Sequence, residues 1–214
     1  MKGLGERPHI CLITEGKASP QNFESEKPRI LATIRDAVSE GVTLIQIREK
    51  TLPARLLFDL SAHAVTICAN SGARLLVNDR ADVAIASGAD GVHLPENSVP
   101  PHAIRRAFSS DLIIGVSTHT IESASSAVEN GADYIFFGPV FATPGKASPA
   151  GVDALRDLCQ KLGEFPLIPI GGIDEDNCEH VMLAGAAGIA AIRAMNEPES
   201  RRKVLDVLSV AKLR

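Results

Sequence analysis

Asp133-Tyr134-Ile135-Phe136-Phe137-Gly138-Pro139-Val140-Phe141-Ala142-Thr143-Pro144-Gly145-Lys146 is the stretch from which the fold is read. It begins as an apolar run of strand length and β-favouring composition. It breaks at Gly138-Pro139, where the proline has no N–H for a ladder hydrogen bond. It continues as a small, mobile loop with a hydroxyl at Thr143 and a cation at Lys146. A strand, a break, a flexible loop and an isolated cation suit an anionic ligand at the C-terminal end of a parallel strand. Alone, the stretch also reads as a surface loop with a solvated lysine, so the rest of the chain decides.

The same alternation of apolar run and helical pattern extends in both directions. His9 to Thr14 is a first buried strand, followed by a polar, loop-like stretch from Gly16 to Lys27. Pro28 fits the first turn of a helix that Gly41 ends. Val42 to Ile47 is the second strand, and Pro53 opens a helix closed by Gly72. Arg74 to Asn78 is the third strand, with a short helix from Ala81 to Ser87 after it. Gly91 to Leu94 is the fourth, followed by a helix from Pro100 to Phe108. Leu112 to Ser117 is the fifth, and Thr120 caps the next helix. After the opening stretch come a helix from Pro149 to Leu162 and a strand from Leu167 to Ile170. Asp174 caps the following helix. Gly188 to Ile192 is the eighth strand, and Glu197 to Leu213 the last helix.

Eight apolar strands alternating with eight helices predict an α/β protein, a (β/α)8 TIM barrel forming one domain over residues 1–214. Glycine between helix and strand recurs at Gly41, Gly88, Gly131 and Gly185, about two β/α units apart. An open doubly wound sheet is the competing fold. It would place a glycine-rich turn after the first strand, and Thr14-Glu15-Gly16 is not one.

Composition narrows the function. With 45% apolar and 22% charged residues and a net charge of −4, the chain is globular and acidic. No basic run or aromatic-basic stripe points to nucleic acid. No apolar run is long enough to span a bilayer, and the N-terminus lacks a signal-peptide segment. The four cysteines show no metal-type spacing and read as reduced core residues of a cytoplasmic protein. A homo-oligomer is compatible with this sequence.

In a barrel the C-terminal strand ends form the active site. Alternation sends Gln46, Arg48 and Lys50 to the barrel mouth, with Ile45 and Ile47 toward the helices. Asn78 and Asp79 end the third strand as an oxygen pair suited to Mg2+, or as an Asn-Asp turn with Asp79 paired to Arg80. His93 has no assigned side and reads as a structural histidine. Ser117, Thr118 and His119 end the fifth strand, and His119 sits where an acid or base could act. Thr143 and Lys146 follow the sixth strand, Gly171-Gly172 the seventh, and Ile192-Arg193 the eighth. Two consecutive glycines permit an anion to approach backbone N–H groups. Four cations beside Asp79, in an acidic protein, point to an anionic substrate with a metal.

From Ile10 to Glu199 the chain resembles the thiamine phosphate synthase family and its TenI-like thiazole tautomerase relatives. The resemblance is carried by Leu44-Ile45-Gln46-Ile47-Arg48-Glu49-Lys50, Val77-Asn78-Asp79-Arg80-Ala81-Asp82, Gly88-Ala89-Asp90-Gly91-Val92-His93-Leu94, Gly115-Val116-Ser117-Thr118-His119-Thr120, Gly138-Pro139-Val140-Phe141 and Ile170-Gly171-Gly172-Ile173. It implies a magnesium-dependent transferase that joins hydroxymethylpyrimidine diphosphate to a thiazole phosphate, giving thiamine phosphate and pyrophosphate. By match, Gln46, Arg48 and Lys50 would bind the pyrimidine diphosphate. Asn78 and Asp79 would serve the diphosphate and Mg2+. Ser117, Thr143 and Lys146 would contact the substrates, and Gly172 would hold the thiazole phosphate. The family pattern expects a second metal-binding Asp where Ser98 stands, a Thr-x-Thr-Lys loop where Thr143-Pro144-Gly145-Lys146 stands, and a phosphate-binding Ser where Arg193 stands. The tautomerase branch, which uses a His where His119 stands, is the alternative, and a non-catalytic ligand-binding barrel is a third.

Overall fold

The computed structural model describes residues 3–5, 8–69, 71–108, 111–146 and 148–211. Strands β1 His9–Ile13, β2 Leu44–Ile47, β3 Arg74–Asn78 and β4 Gly91–Leu94 alternate with helices α1 Phe23–Ser39, α2 Ala54–Cys68, α3 Ala81–Ser87 and α4 Pro101–Ala107. The second half continues as β5 Ile113–Thr118, α5 Ile121–Glu129, β6 Tyr134–Phe137, α6 Gly151–Leu162, β7 Leu167–Pro169, α7 Cys178–Leu183 and β8 Gly188–Ala191. Two helices end it, α8 Arg193–Asn196 and α9 Pro198–Ala211.

All eight strands lie in one sheet, ordered β7-β6-β5-β4-β3-β2-β1-β8. All seven neighbouring pairs in this order are parallel, and a parallel Ile170–Ala190 bridge closes the seam between β7 and β8. The predicted (β/α)8 barrel is the fold.

Strand alternation builds two apolar layers. Ile13, Leu44, Leu76, Ile113, Phe136 and Ile168 fill the barrel interior. The alternate strand residues, among them Leu12, Ile45, Ile47, Val77, Val92 and Ile114, pack outward under the helices. Both faces are buried, which is why the strands read as continuous apolar runs rather than as alternating ones.

The four cysteines are buried and unbridged, as expected. Among the described residues, no helix is long and apolar enough to cross a membrane.

Four helix boundaries differ from expectation, each because a polar loop group competes for the backbone. Helix α1 starts at Phe23 and carries Pro28 inside it. Asn22 closes the preceding turn by accepting from the Ser19 N–H at 2.6 Å, and buried Phe23 anchors the first turn. Helix α6 begins at Gly151, not Pro149, because the N–H groups of Ala150 and Gly151 donate to the Pro139 and Val140 carbonyls at 2.8 and 3.1 Å. Helix α7 begins after Asn177 rather than at Asp174. Asn177 accepts from the Asp174 N–H at 3.1 Å and donates to the Gly172 carbonyl at 2.9 Å, so the intervening residues form a loop. The last helix is preceded by the separate turn α8, whose Asn196 amide donates to the Ile13 and Ile192 carbonyls at 2.8 and 2.7 Å. The expected end of the last helix at Leu213 lies outside the described residues.

Candidate active site

The C-terminal strand ends enclose a cavity of about 630 Å³, within the usual size of a small-molecule site. Gln46, Arg48, Lys50, Asn78, Ser117 and His119 line one part of it; Thr143, Lys146, Gly171, Gly172, Ile192 and Arg193 line another. Lys146 therefore shares one mouth with Arg48. Asp79 is the one predicted site residue that is not in the cavity wall.

The β2 end shows how the sequence positions these groups. Gln46, Arg48 and Lys50 face the cavity, while Ile45 and Ile47 join the outer core. Glu49 points the other way, is buried, and accepts from the Gly16 and Ala18 N–H groups at 3.0 and 2.8 Å. It ties the loop after β1 to the strand that carries the cations. Gln46 donates its amide to Asn78 Oδ1 at 3.0 Å. Its own Oε1 is buried with no hydrogen-bond partner among the described residues, an acceptor that a ligand N–H would satisfy.

Arg48, Lys50, Lys146 and Arg193 make no ion pair with any described residue. The charge of Arg48, then burial, then the charge of Lys146 push the Lys50 ammonium below its ordinary pKa. The cations thus repel one another, and an incoming anion relieves that repulsion.

Asp79 follows β3 with φ 57, the only described non-glycine residue at positive φ. Its N–H donates to the His93 carbonyl at 2.9 Å, and its Oδ1 accepts from the Ser98 hydroxyl at 2.7 Å. Arg80 pairs with Asp82 at 2.6 Å, not with Asp79 as the turn reading had it. No cluster of three or more metal-ligating side chains occurs among the described residues. One carboxylate beside Lys50 and Ser98 fits Mg2+ only if the ligand's phosphate oxygens complete the shell.

His119 lines the cavity, and its Nδ1–H donates to the Gly138 carbonyl. This leaves Nε2 as the ring nitrogen free to accept a proton. Gly171 and Gly172 have φ 99 and 66. A Cβ at Gly171 would come within 2.6 Å of Pro139, and one at Gly172 within 2.8 Å of the Ala142 carbonyl oxygen and of the Phe141 Cβ. Side chains there would push into the loop after β6. The Thr143 hydroxyl bonds the Phe141 carbonyl at 3.1 Å and orders the same loop.

His93, left without a side in the sequence reading, points inward. It is 2% exposed, and its ring nitrogens reach the Tyr134 hydroxyl and Ser117 Oγ, both at 2.8 Å. The pairing of Asn78 with His93 across β3 and β4 gave the missing signal, and only the assembled register supplies it.

Fold and cavity define an α/β barrel protein, a (β/α)8 barrel with its candidate site at the strand C-termini. The chain belongs to the family described as thiamine monophosphate synthase, whose model matches residues 10–195. A putative thiamine-phosphate synthase of Geobacter sulfurreducens is 42% identical, over 85% of this chain and 86% of that protein. A thiamine-phosphate synthase of Chlorobium luteolum is 39% identical, over 90% and 87% of the two chains. The solved thiamine phosphate pyrophosphorylase of Pyrococcus furiosus superposes with TM-score 0.82 at 30% identity, over 94% of this chain and 95% of that one.

Proposed function

We propose that this chain is a thiamine-phosphate synthase, joining hydroxymethylpyrimidine diphosphate to thiazole phosphate. The observation that carries this reading is the set of four cations around one cavity, without ion-pair partners among the described residues, in an acidic protein. The bond from the pyrimidine methylene carbon to the diphosphate oxygen breaks, and its electron pair leaves with pyrophosphate. The thiazole nitrogen then forms the new C–N bond. Arg48, Lys50 and Lys146 hold the diphosphate and oppose the charge that builds on the leaving oxygen. The unpartnered Gln46 Oε1 accepts from the pyrimidine amino group. Asn78, held by Gln46, and Ser117 contact the diphosphate end. Gly171, Gly172, Thr143 and Arg193 cradle the thiazole phosphate, the glycines through backbone N–H groups. Mg2+, when bound, neutralises diphosphate charge, and Asp79 would hold it together with phosphate oxygens.

The test is to mix the purified protein with both substrates and Mg2+ and follow thiamine phosphate and pyrophosphate. Stoichiometric appearance of both is expected, and their absence would end this reading. The free Nε2 of His119 favours a second reading, proton transfer on a thiazole carboxylate phosphate. Turnover of that substrate that disappears in His119→Ala would support it.

A further inference from the structure

We propose that Tyr134 and His93 form a buried positioning pair that fixes the Ser117 hydroxyl as a hydrogen-bond donor into the cavity. The proposal rests on the function proposed above for the identity of the ligand, but not for the direction of the protons.

The three side chains form a line. Tyr134 Oη lies 2.8 Å from His93 Nδ1, and His93 Nε2 lies 2.8 Å from Ser117 Oγ. Tyr134 and His93 are 0% and 2% exposed, whereas Ser117 reaches the cavity. Phe136 packs on the imidazole with ring centroids 4.2 Å apart, which holds the ring plane. Glycine at 115 makes room for the phenol, since a Cβ there would fall 2.0 Å from the Tyr134 ring.

Counting donors gives the proton direction. His93 is buried between two hydroxyls, with no carboxylate at either ring nitrogen to hold a second proton, so the ring is neutral and carries one proton. The phenol proton has the imidazole as its one hydrogen-bond partner among the described residues. If Nδ1 carried the ring proton, it would donate to the phenol oxygen, and the phenol proton would be left without an acceptor among the described residues. A buried unmatched donor costs about 1–3 kcal/mol. The phenol therefore donates to Nδ1, and Nε2–H donates to Ser117 Oγ. The serine oxygen is occupied by that bond, and its own proton turns to the cavity.

A serine beside a histidine invites reading as a nucleophile and its base. Here the proton faces the wrong way, since Nε2 cannot accept from the hydroxyl. Ser117 instead offers a fixed donor to an acceptor atom of the ligand, a phosphate oxygen above all. Tyr134 and His93 act through it without touching ligand.

The experiment is a long-range 1H–15N correlation spectrum of the ligand-free protein labelled at histidine nitrogen, with His93 assigned by loss of its signals in His93→Gln. An unprotonated Nδ1 and a protonated Nε2 are expected at about pH 7.5. A protonated Nδ1 overturns the proposal, whatever the activity assay says. In turnover, Tyr134→Phe is expected to lower kcat about tenfold, the equivalent of one hydrogen bond, with KM nearly unchanged and mixed His93 tautomers. In a Ser117→Ala background the same substitution is expected to change kcat no further. Additive losses would mean that the pair does not work through Ser117. If Tyr134→Phe fails to fold, the wild-type spectrum still decides. A correct spectrum in a protein inactive as a synthase would leave the tautomer standing and remove only the proposed reaction.

Discussion

Asp79 holds a left-handed backbone conformation, and Asp tolerates this better than most residues. Such a backbone outlier beside a ligand cavity is a reason to look for function. The 2.7 Å bond from Ser98 places that side chain directly beside the carboxylate. We predict weak Mg2+ binding to the protein alone and much tighter binding with pyrophosphate present, because one carboxylate cannot complete an octahedral shell. Ser98→Asp is expected to increase Mg2+ affinity, and Asp79→Ala to lower turnover far more than stability. Calorimetric titrations with and without pyrophosphate check this; equal affinity in both, or a Ser98→Asp variant matching wild type, would displace the metal from Asp79. The inward positions of Gln46, Arg48 and Lys50 were legible because polar residues alternate with isoleucine along one strand. His93 was not legible: Val92 and Leu94 beside it are apolar, but so are the inward residues of neighbouring strands.

At the scale of elements, the loop after β6 and the glycine pair after β7 form one unit. The Val140 and Phe141 N–H groups donate to the Ile170 and Gly171 carbonyls at 2.9 and 3.0 Å. Gly172→Ala would add both a positive-φ strain and a 2.8 Å contact with the Ala142 carbonyl. We predict a loss of about 1–3 kcal/mol in stability and a larger proportional rise in KM for the thiazole phosphate than for the pyrimidine diphosphate. Urea unfolding and steady-state kinetics measure the two effects; a variant with both KM values unchanged would separate the glycine pair from the phosphate. Strand and helix order was legible because apolar run lengths and glycine stops mark the elements. The starts of α6 and α7 were not, because the competing partners, the Pro139 and Val140 carbonyls and the Gly172 carbonyl, come from distant or looping segments. The four-residue α8 left no periodic signal at all.

Across the whole molecule, negative charge on the surface coexists with like-charged cations converging on one mouth. Self-repulsion there opposes folding, so ligand binding and stability are linked. Pyrophosphate is expected to raise Tm in proportion to the logarithm of its concentration. Lys50→Met, which removes one member of the repelling set, is expected to raise the Tm of the ligand-free protein while abolishing most turnover. A lower Tm for that variant would mean that Lys50 is held by interactions other than those described. The buried His93 makes a second link, to pH. Its pKa falls from the ordinary 6.5 to about 3 in the folded protein. Between those values the unfolded chain binds a proton that the folded one refuses. Stability from this group is therefore complete above about pH 6.5 and declines as pH falls, at up to about 1.4 kcal/mol per pH unit. Glu40 and Asp82, whose pKa values are lowered by Arg201 and Arg202 and by Arg80 respectively, add losses only nearer pH 4 or below, in the carboxylate range. Between about pH 6.5 and 5 the other histidines, buried His9 among them, are common to wild type and a His93 variant, so the difference between the two proteins reports His93. Urea unfolding across that window is expected to show a steeper decline in wild type than in His93→Gln, whose side chain at 93 cannot titrate. The variant is less stable at pH 7 because Tyr134 and Ser117 lose their shared partner, yet its curve is flatter. Parallel curves for the two proteins would show that His93 takes up its proton over the same pH range folded as unfolded, and the link between its burial and acid sensitivity would fall.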